Sequence, residues 1–227
     1  MRILALDAAG DRAAIGLIDG DDTPIVRMGD GTRGEAARLA DLVDAALATA
    51  GCTPADLDLV AVTVGPGSFT GLRAALALAQ GIGDARAIPV IGVTVGEAIA
   101  AAMTGGPDNR SRSLWVATDS RRGRLFLERM PGTPAALTGV FDETDLPLPS
   151  GPVDAAGDAA AQLAARLAAR GTDVRLTAGR HATPAGIAQA AAARHAGRLP
   201  PRPTLPLYID PPEARPPAGG LRPPPHP

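Results

Sequence analysis

The chain has no lysine; all 22 of its basic residues are arginine. That excludes a phosphate-loop lysine and a Schiff-base amine. Cysteine occurs once, as Cys52, so neither an intrachain disulfide nor a multi-cysteine metal site can form. Aromatics make up 2% of the residues against 45% hydrophobic, so the core must be built from small and aliphatic side chains. Of the three histidines, His181, His195 and His226, none lies four residues from another, which excludes a helical zinc pair. No apolar run reaches the ~18 residues of a membrane span. Met1–Asp7 is too short an apolar run for a signal peptide and reads as a strand. A soluble, cytoplasmic protein is expected. A net charge of −2 makes no electrostatic case for binding nucleic acid alone.

What is present alternates between strands and helices. Ile3–Asp7 and Ala14–Asp19 read as an opening hairpin, with Pro24–Met28 as a third strand. Glu35–Ala50 carries Leu39, Val43, Ala46, Leu47 and Ala50 at helical spacing, and Gly51 terminates it. Leu57–Val64 is almost continuously apolar, the mark of a strand covered on both faces. A helix follows over Gly71–Ala85, then a strand at Pro89–Val93. Thr94–Met103 reads as a third helix, with Thr94 and Glu97 spaced as a capping box. Beyond a Gly/Pro/Ser-rich boundary, Leu114–Asp119 and Arg124–Met130 form a second hairpin. Asp158–Arg170 is a helix, Val174–Ala178 a strand and Pro184–Ala196 a last helix. Proline dominates from Leu199 onward, so that segment either lies extended over a surface or stays unfolded. The organisation expected is an N-terminal α/β lobe at 1–104, a C-terminal α/β lobe at 105–198 and a Pro-rich tail at 199–227.

Gly65-Pro66-Gly67-Ser68-Phe69-Thr70-Gly71-Leu72-Arg73 joins the buried strand to the second helix. A strand-to-helix glycine loop suggests anion binding by helix amides. Yet no Lys-Ser/Thr pair follows the last glycine, and Thr70 stands where a dinucleotide loop needs its third glycine. Gly65 and Gly67 then give a tight turn, with Ser68 or Thr70 capping the helix. Gly71, Ala75, Ala79 and Gly83 recur every four residues, a stripe that lets another backbone approach closely. Sequence leaves open whether that backbone is the chain's own or a partner's. Arg121-Arg122 reads as a hairpin tip, solvated or touching RNA phosphates.

These residues, taken in order, resemble the TsaB family of tRNA threonylcarbamoyladenosine biosynthesis proteins. The resemblance rests on Ile3–Asp7, Val62–Arg73, Pro89–Val93 and Asp119–Gly123, and more loosely on Pro206–Ala214. It implies an α/β, two-lobed actin/chaperone/sugar-kinase-like ATPase fold with a degenerate nucleotide site. It also implies a non-catalytic scaffold subunit that pairs with the threonylcarbamoyltransferase TsaD, joined by the ATPase TsaE. tRNA is then met only through the complex, ATP is used by the complex, and no cofactor is bound by this subunit alone. A homodimer is possible when the chain is alone. The implied partner interface lies on the first two helices, at Leu39, Leu42, Ala46, Gly71, Arg73, Ala75, Ala79 and Gly83. Asp7 stands where ATPases of this fold hold a phosphate-side metal, but Ala8-Ala9 follow in place of the family's hydroxyls, and a strand-end Asp ordinarily satisfies turn amides. Gly34-Glu35 and Tyr208-Ile209-Asp210 also depart from the family pattern. A small-molecule kinase of the same fold is the alternative. A peptidase finds no nucleophile–base or zinc pattern in the chain.

Overall fold

The first strand shows how the sequence builds the core. In β1 (Arg2–Asp7) Ile3 and Ala5 point to one face, Leu4 and Leu6 to the other, and all four are buried. β4 (Leu59–Gly65) alternates likewise: Leu59 and Ala61 share a cluster with Ile3, while Val60, Val62 and Val64 share one with Leu4. A sheet that is apolar on both faces must be covered on both, and here helices cover it.

The computed structural model describes residues 1–20, 22–31, 34–103, 112–130, 139–142 and 145–209. The first sheet adds β2 (Ala14–Asp19), β3 (Ile25–Met28) and β5 (Val90–Thr94), in the order β3-β2-β1-β4-β5. β1 pairs antiparallel with β2 and parallel with β4. The second sheet contains β6 (Ser113–Asp119), β7 (Leu125–Met130), β8 (Gly139–Phe141), β9 (Val153–Ala156) and β10 (Val174–Leu176), in the order β10-β9-β6-β7-β8. β6 again pairs antiparallel with the next strand in the chain and parallel with β9. Read from its other edge, the second sheet repeats the first strand for strand. This duplication gives two α/β lobes of the same strand order.

α1 (Leu39–Ala50) and α2 (Phe69–Arg86) cover the outer face of the first sheet, and α4 (Ala160–Ala168) covers that of the second. α3 (Val95–Met103) and α5 (Pro184–His195) lie between the sheets: Ile99, Ile187 and Ala190 share one cluster with Ile3 and Ala61 of the first sheet and Val116 and Ala156 of the second. α5, placed in the second lobe by chain order, thus packs on the first lobe's sheet. Its run of alanines is what lets helix and strands close at short range.

Several element boundaries differ from expectation: α4 is shorter than Asp158–Arg170 at both ends, and β10 stops at Leu176 rather than Ala178. α2 begins at Phe69 rather than Gly71, because Ser68 is its cap. Glu35–Arg38 is a separate 3-10 turn before α1, and Gly34, in left-handed geometry, supplies no side-chain cap. β8 and β9 lie where the sequence pattern suggests no element. Among the described residues no helix is long and apolar enough to cross a membrane.

The capping box at α3 forms as the spacing predicts. The Thr94 hydroxyl accepts from the Glu97 amide at 3.1 Å, and Glu97 Oε2 accepts from the Thr94 amide at 2.8 Å. Glu97 Oε1 also accepts from Arg194 at 2.6 Å and from Arg202 at 3.2 Å. Burial alone would raise the Glu97 carboxyl; the Arg194 and Thr94 hydrogen bonds outweigh it and hold the group below its usual range.

Candidate functional site

The glycine stretch is shaped by the turn it lies against. A Cβ on Gly67 would overlap the Ala9 carbonyl, and one on Gly71 the Ala8 carbonyl. Backbone therefore meets backbone where β4 launches α2 beside the β1–β2 turn. The Ser68 amide donates to the Ala9 carbonyl at 2.8 Å, and the Gly71 amide donates to Ser68 Oγ at 3.2 Å. These two amides of the helix start are spent inside the chain. Ser68, not Thr70, is the cap, and Thr70 stands exposed in the first turn. Gly65 precedes a cis peptide bond to Pro66 and adopts positive φ.

Asp7 lies buried at the end of β1. Its Oδ1 accepts from the Ala9 amide at 3.0 Å and from the Thr63 hydroxyl at 2.7 Å. Burial pushes its carboxyl up, partly offset by those hydrogen bonds. It thus satisfies turn and strand groups, as strand-end aspartates commonly do. Among the described residues no group of three His, Cys, Asp or Glu could hold a metal ion.

The stripe expected to face a partner faces the sheet instead. Ala75 and Ala79 are fully buried in the cluster with Leu4, Val60 and Val62, and a Cβ on Gly83 would overlap Val90. Leu39 and Ala46 of α1 are buried in the same cluster, and Leu42 is half-buried at its edge. In the chain taken alone, then, Gly71, Ala75, Ala79, Gly83, Leu39 and Ala46 present no surface. What α2 exposes is a second small-residue row, Ala77, Gly81 and Ala85, again four apart. Nothing lies within 4 Å of where a Gly81 side chain would be. Sequence reasoning followed the small residues and missed this row; Leu72 and Leu76 on the buried face, with Arg73, Gln80 and Asp84 exposed, are the signal that marks it as the outer one.

Arg73, the remaining expected interface residue, sits at the mouth of a cleft of about 850 Å³ between the lobes. The tail reaches it. Residues 199–209 run back over the first lobe: Thr204 Oγ1 donates to the Val90 carbonyl at 3.1 Å, and the Leu207 amide to the Val64 carbonyl at 2.7 Å. Of the two possibilities for the tail, the extended one holds for this part; the remainder, including Asp210 and Arg215, lies outside the described residues. At the end of this strap Arg73 Nε donates to the Tyr208 hydroxyl at 2.6 Å, and the Arg73 guanidinium lies 3.8 Å from the Phe69 ring centre. Opposite, Arg121, in left-handed backbone geometry at the β6–β7 turn, pairs with Asp11 of the β1–β2 turn and so spans the lobes. Asp158 lines the same cleft, its carboxyl raised by burial.

Known proteins resemble this chain in sequence and in fold. A family model described as TsaD, tRNA N6-adenosine threonylcarbamoyltransferase, fits residues 32–145, half of the chain. An uncharacterised protein of Mycobacterium tuberculosis is 40% identical over 129 residues, covering 56% of this chain and 58% of that protein. The tRNA threonylcarbamoyladenosine biosynthesis protein TsaB of Escherichia coli is 31% identical over 126 residues, covering 56% and 53%. The chain thus spans little more than half the length of these curated relatives. The crystal structure of YeaZ from Pseudomonas aeruginosa superposes with a TM-score of 0.71 at 21% identity, over 92% of this chain and 99% of that one.

Proposed function

The chain belongs to the TsaD-like family, in its TsaB/YeaZ group, and from that premise we propose that it is a non-catalytic partner subunit of a TsaD-like transferase that makes threonylcarbamoyladenosine in tRNA. A TsaE-like ATPase joins the pair, tRNA is met through the assembled complex, and ATP is consumed by the complex in the cytoplasm. The observation that carries this reading is Gly81. A glycine inside a helix costs ~1 kcal/mol relative to alanine. Gly71 and Gly83 repay that cost by close packing within the chain, whereas Gly81 meets nothing there. A close-approaching helix of another subunit, laid along Ala77, Gly81 and Ala85, supplies the missing contact.

The catalytic side supports the same reading. Asp7 is committed to Thr63 and Ala9, and two amides of the glycine loop are committed to Ala9 and Ser68. The kinase alternative asks those same groups to hold a nucleotide's phosphates, so it is not favoured. The test is co-purification with the cognate TsaD-like subunit, followed by assay of threonylcarbamoylated tRNA. Gly81→Leu should abolish co-purification without lowering the melting temperature of the free chain. Full modification in the absence of this chain would overturn the proposal.

A further inference from the structure

The strap leads the end of the chain into the cleft between the lobes. Its last described residues, Leu207, Tyr208 and Ile209, line that cleft, and the Leu207 amide is held by the Val64 carbonyl at 2.7 Å. The sequence continues as Asp210-Pro211-Pro212-Glu213-Ala214-Arg215-Pro216-Pro217. Three of the chain's five aromatic residues line the same cleft: Phe69 from α2, Phe126 from β7 of the opposite lobe, and Tyr208. Phe69 and Tyr208 are 54% and 49% exposed, although burying them would be favourable in a protein so poor in large apolar groups. Their rings lie 5.5 Å apart. The charges around them are mixed, with Arg73, Arg121 and Arg122 against Asp11, Asp119 and Asp158.

We propose that the chain's own segment Pro211–Pro217 docks in this cleft as an extended polyproline helix. Aromatic-lined grooves take such segments, because the preformed helix loses little entropy on binding. Pro211-Pro212 and Pro216-Pro217 offer two pairs of proline rings to the aromatic walls. At ~3.1 Å per residue the segment spans ~20 Å, enough to cross the cleft from the end of the strap. The charges also match. Asp210 and Glu213 meet the cleft's arginines, and Arg215 meets Asp119 and Asp158. The Arg121–Asp11 pair is exposed on both sides, so Glu213 can compete for Arg121. Covalent attachment at Ile209 holds the segment at an effective concentration on the order of mM, so contacts too weak to retain a free peptide suffice. Once docked, the segment covers the half-exposed rings and ties the second lobe to the end of the strap.

NMR of the full chain with ring-labelled phenylalanine and tyrosine tests this, since three Phe and one Tyr give few signals. Cross-peaks should join the Phe69 and Phe126 rings to proline ring protons. They should be lost at Phe126 when Pro211, Pro212, Pro216 and Pro217 are all replaced by glycine. Phe141 packs against the second lobe's core and should keep its signal, which shows the variant folded. Phe69→Ala, at a side chain more than half exposed, should weaken the Phe126 cross-peaks severalfold. Ring signals of Phe69, Phe126 and Tyr208 that are indifferent to the glycine replacements overturn the proposal. So do cross-peaks found only between labelled and unlabelled copies, which would put the segment in a second copy's cleft. The partner reading rests on the outer face of α2 and survives either failure.

Discussion

Gly71 and Gly81 stand on the same helix in opposite surroundings: a Cβ on Gly71 would overlap the Ala8 carbonyl, whereas a Cβ on Gly81 would enter open space. One substitution should therefore have two signs. Gly81→Ala should stabilise the free chain by ~1 kcal/mol through helix propensity alone, raising the melting temperature by ~2–4 °C for a protein of this size. Gly71→Ala gains the same propensity but must push α2 away from the β1–β2 turn, and overpacking of this kind costs ~1–3 kcal/mol. Thermal denaturation of the two variants decides. Equal shifts would mean that the glycine loop does not touch that turn.

A second contrast separates folding from assembly. Ala79 is wholly buried against the sheet, and Ala77 is exposed two residues away. Ala79→Leu should lower the melting temperature and lose partner binding only as the fold is lost. Ala77→Leu should leave the melting temperature near that of the parent and still reduce co-purification with the TsaD-like subunit. If Ala77→Leu assembled normally, the outer face of α2 would not be the contact.

These contrasts mark where sequence stopped being informative. The periodicity of β1 and β4 was legible because Ile3, Leu4, Val60 and Val62 are large and apolar, and a strand with two apolar faces has few ways to be buried. The capping box of Thr94 and Glu97 was legible because it is local. α2 was legible as a helix, and its rotation was legible in Leu72 and Leu76 inside against Arg73, Gln80 and Asp84 outside. The small-residue rows Gly71–Ala75–Ala79–Gly83 and Ala77–Gly81–Ala85, taken by themselves, differ too little in hydrophobicity to show it. The cleft was illegible for another reason: Phe69, Arg121 and Tyr208 lie far apart in the chain and meet only in the fold, Arg121 from the second lobe and Tyr208 through the tail. The register of the Pro-rich strap depends on hydrogen bonds to Val64 and Val90 that no short-range pattern announces.

Glu128 makes stability fall with pH. It lies buried on β7, where Oε2 accepts from the Gly96 amide at 2.7 Å, and burial pushes its carboxyl up to about 7 from an ordinary 4.5. Between those values the folded chain holds a proton that the unfolded chain has released. Stability therefore declines as pH rises through that window, and the full penalty is present above it. Glu128→Gln keeps an acceptor for Gly96 and carries no charge. It should stabilise the chain at pH 8, by on the order of 3 kcal/mol at most, and the advantage should shrink toward zero near pH 4. Denaturant midpoints across that range measure it; an advantage that did not vary with pH would show that the carboxyl is not the cause.

Arg194 and Glu97 form the opposite case. The guanidinium is almost fully buried and ties α5 to Glu97 on α3, to the Gly92 carbonyl on β5 and to the Pro200 carbonyl at the root of the strap, at 2.6, 2.7 and 2.7 Å. Because the folded carboxyl of Glu97 titrates below its unfolded value, its contribution is present above the unfolded value and lost as pH falls through the folded one. Arg194→Met leaves the buried charge of Glu97 with the more exposed Arg202 alone and should cost at most the ~3–5 kcal/mol of stranding a buried charge near neutral pH. The loss should be smaller near pH 3, where Glu97 can accept a proton. Adding Glu97→Gln to Arg194→Met should recover much of the stability, since the stranded charge is then gone. A double mutant no more stable than Arg194→Met alone would instead assign the role of Arg194 to the Gly92 and Pro200 carbonyls, and with it the anchoring of the strap.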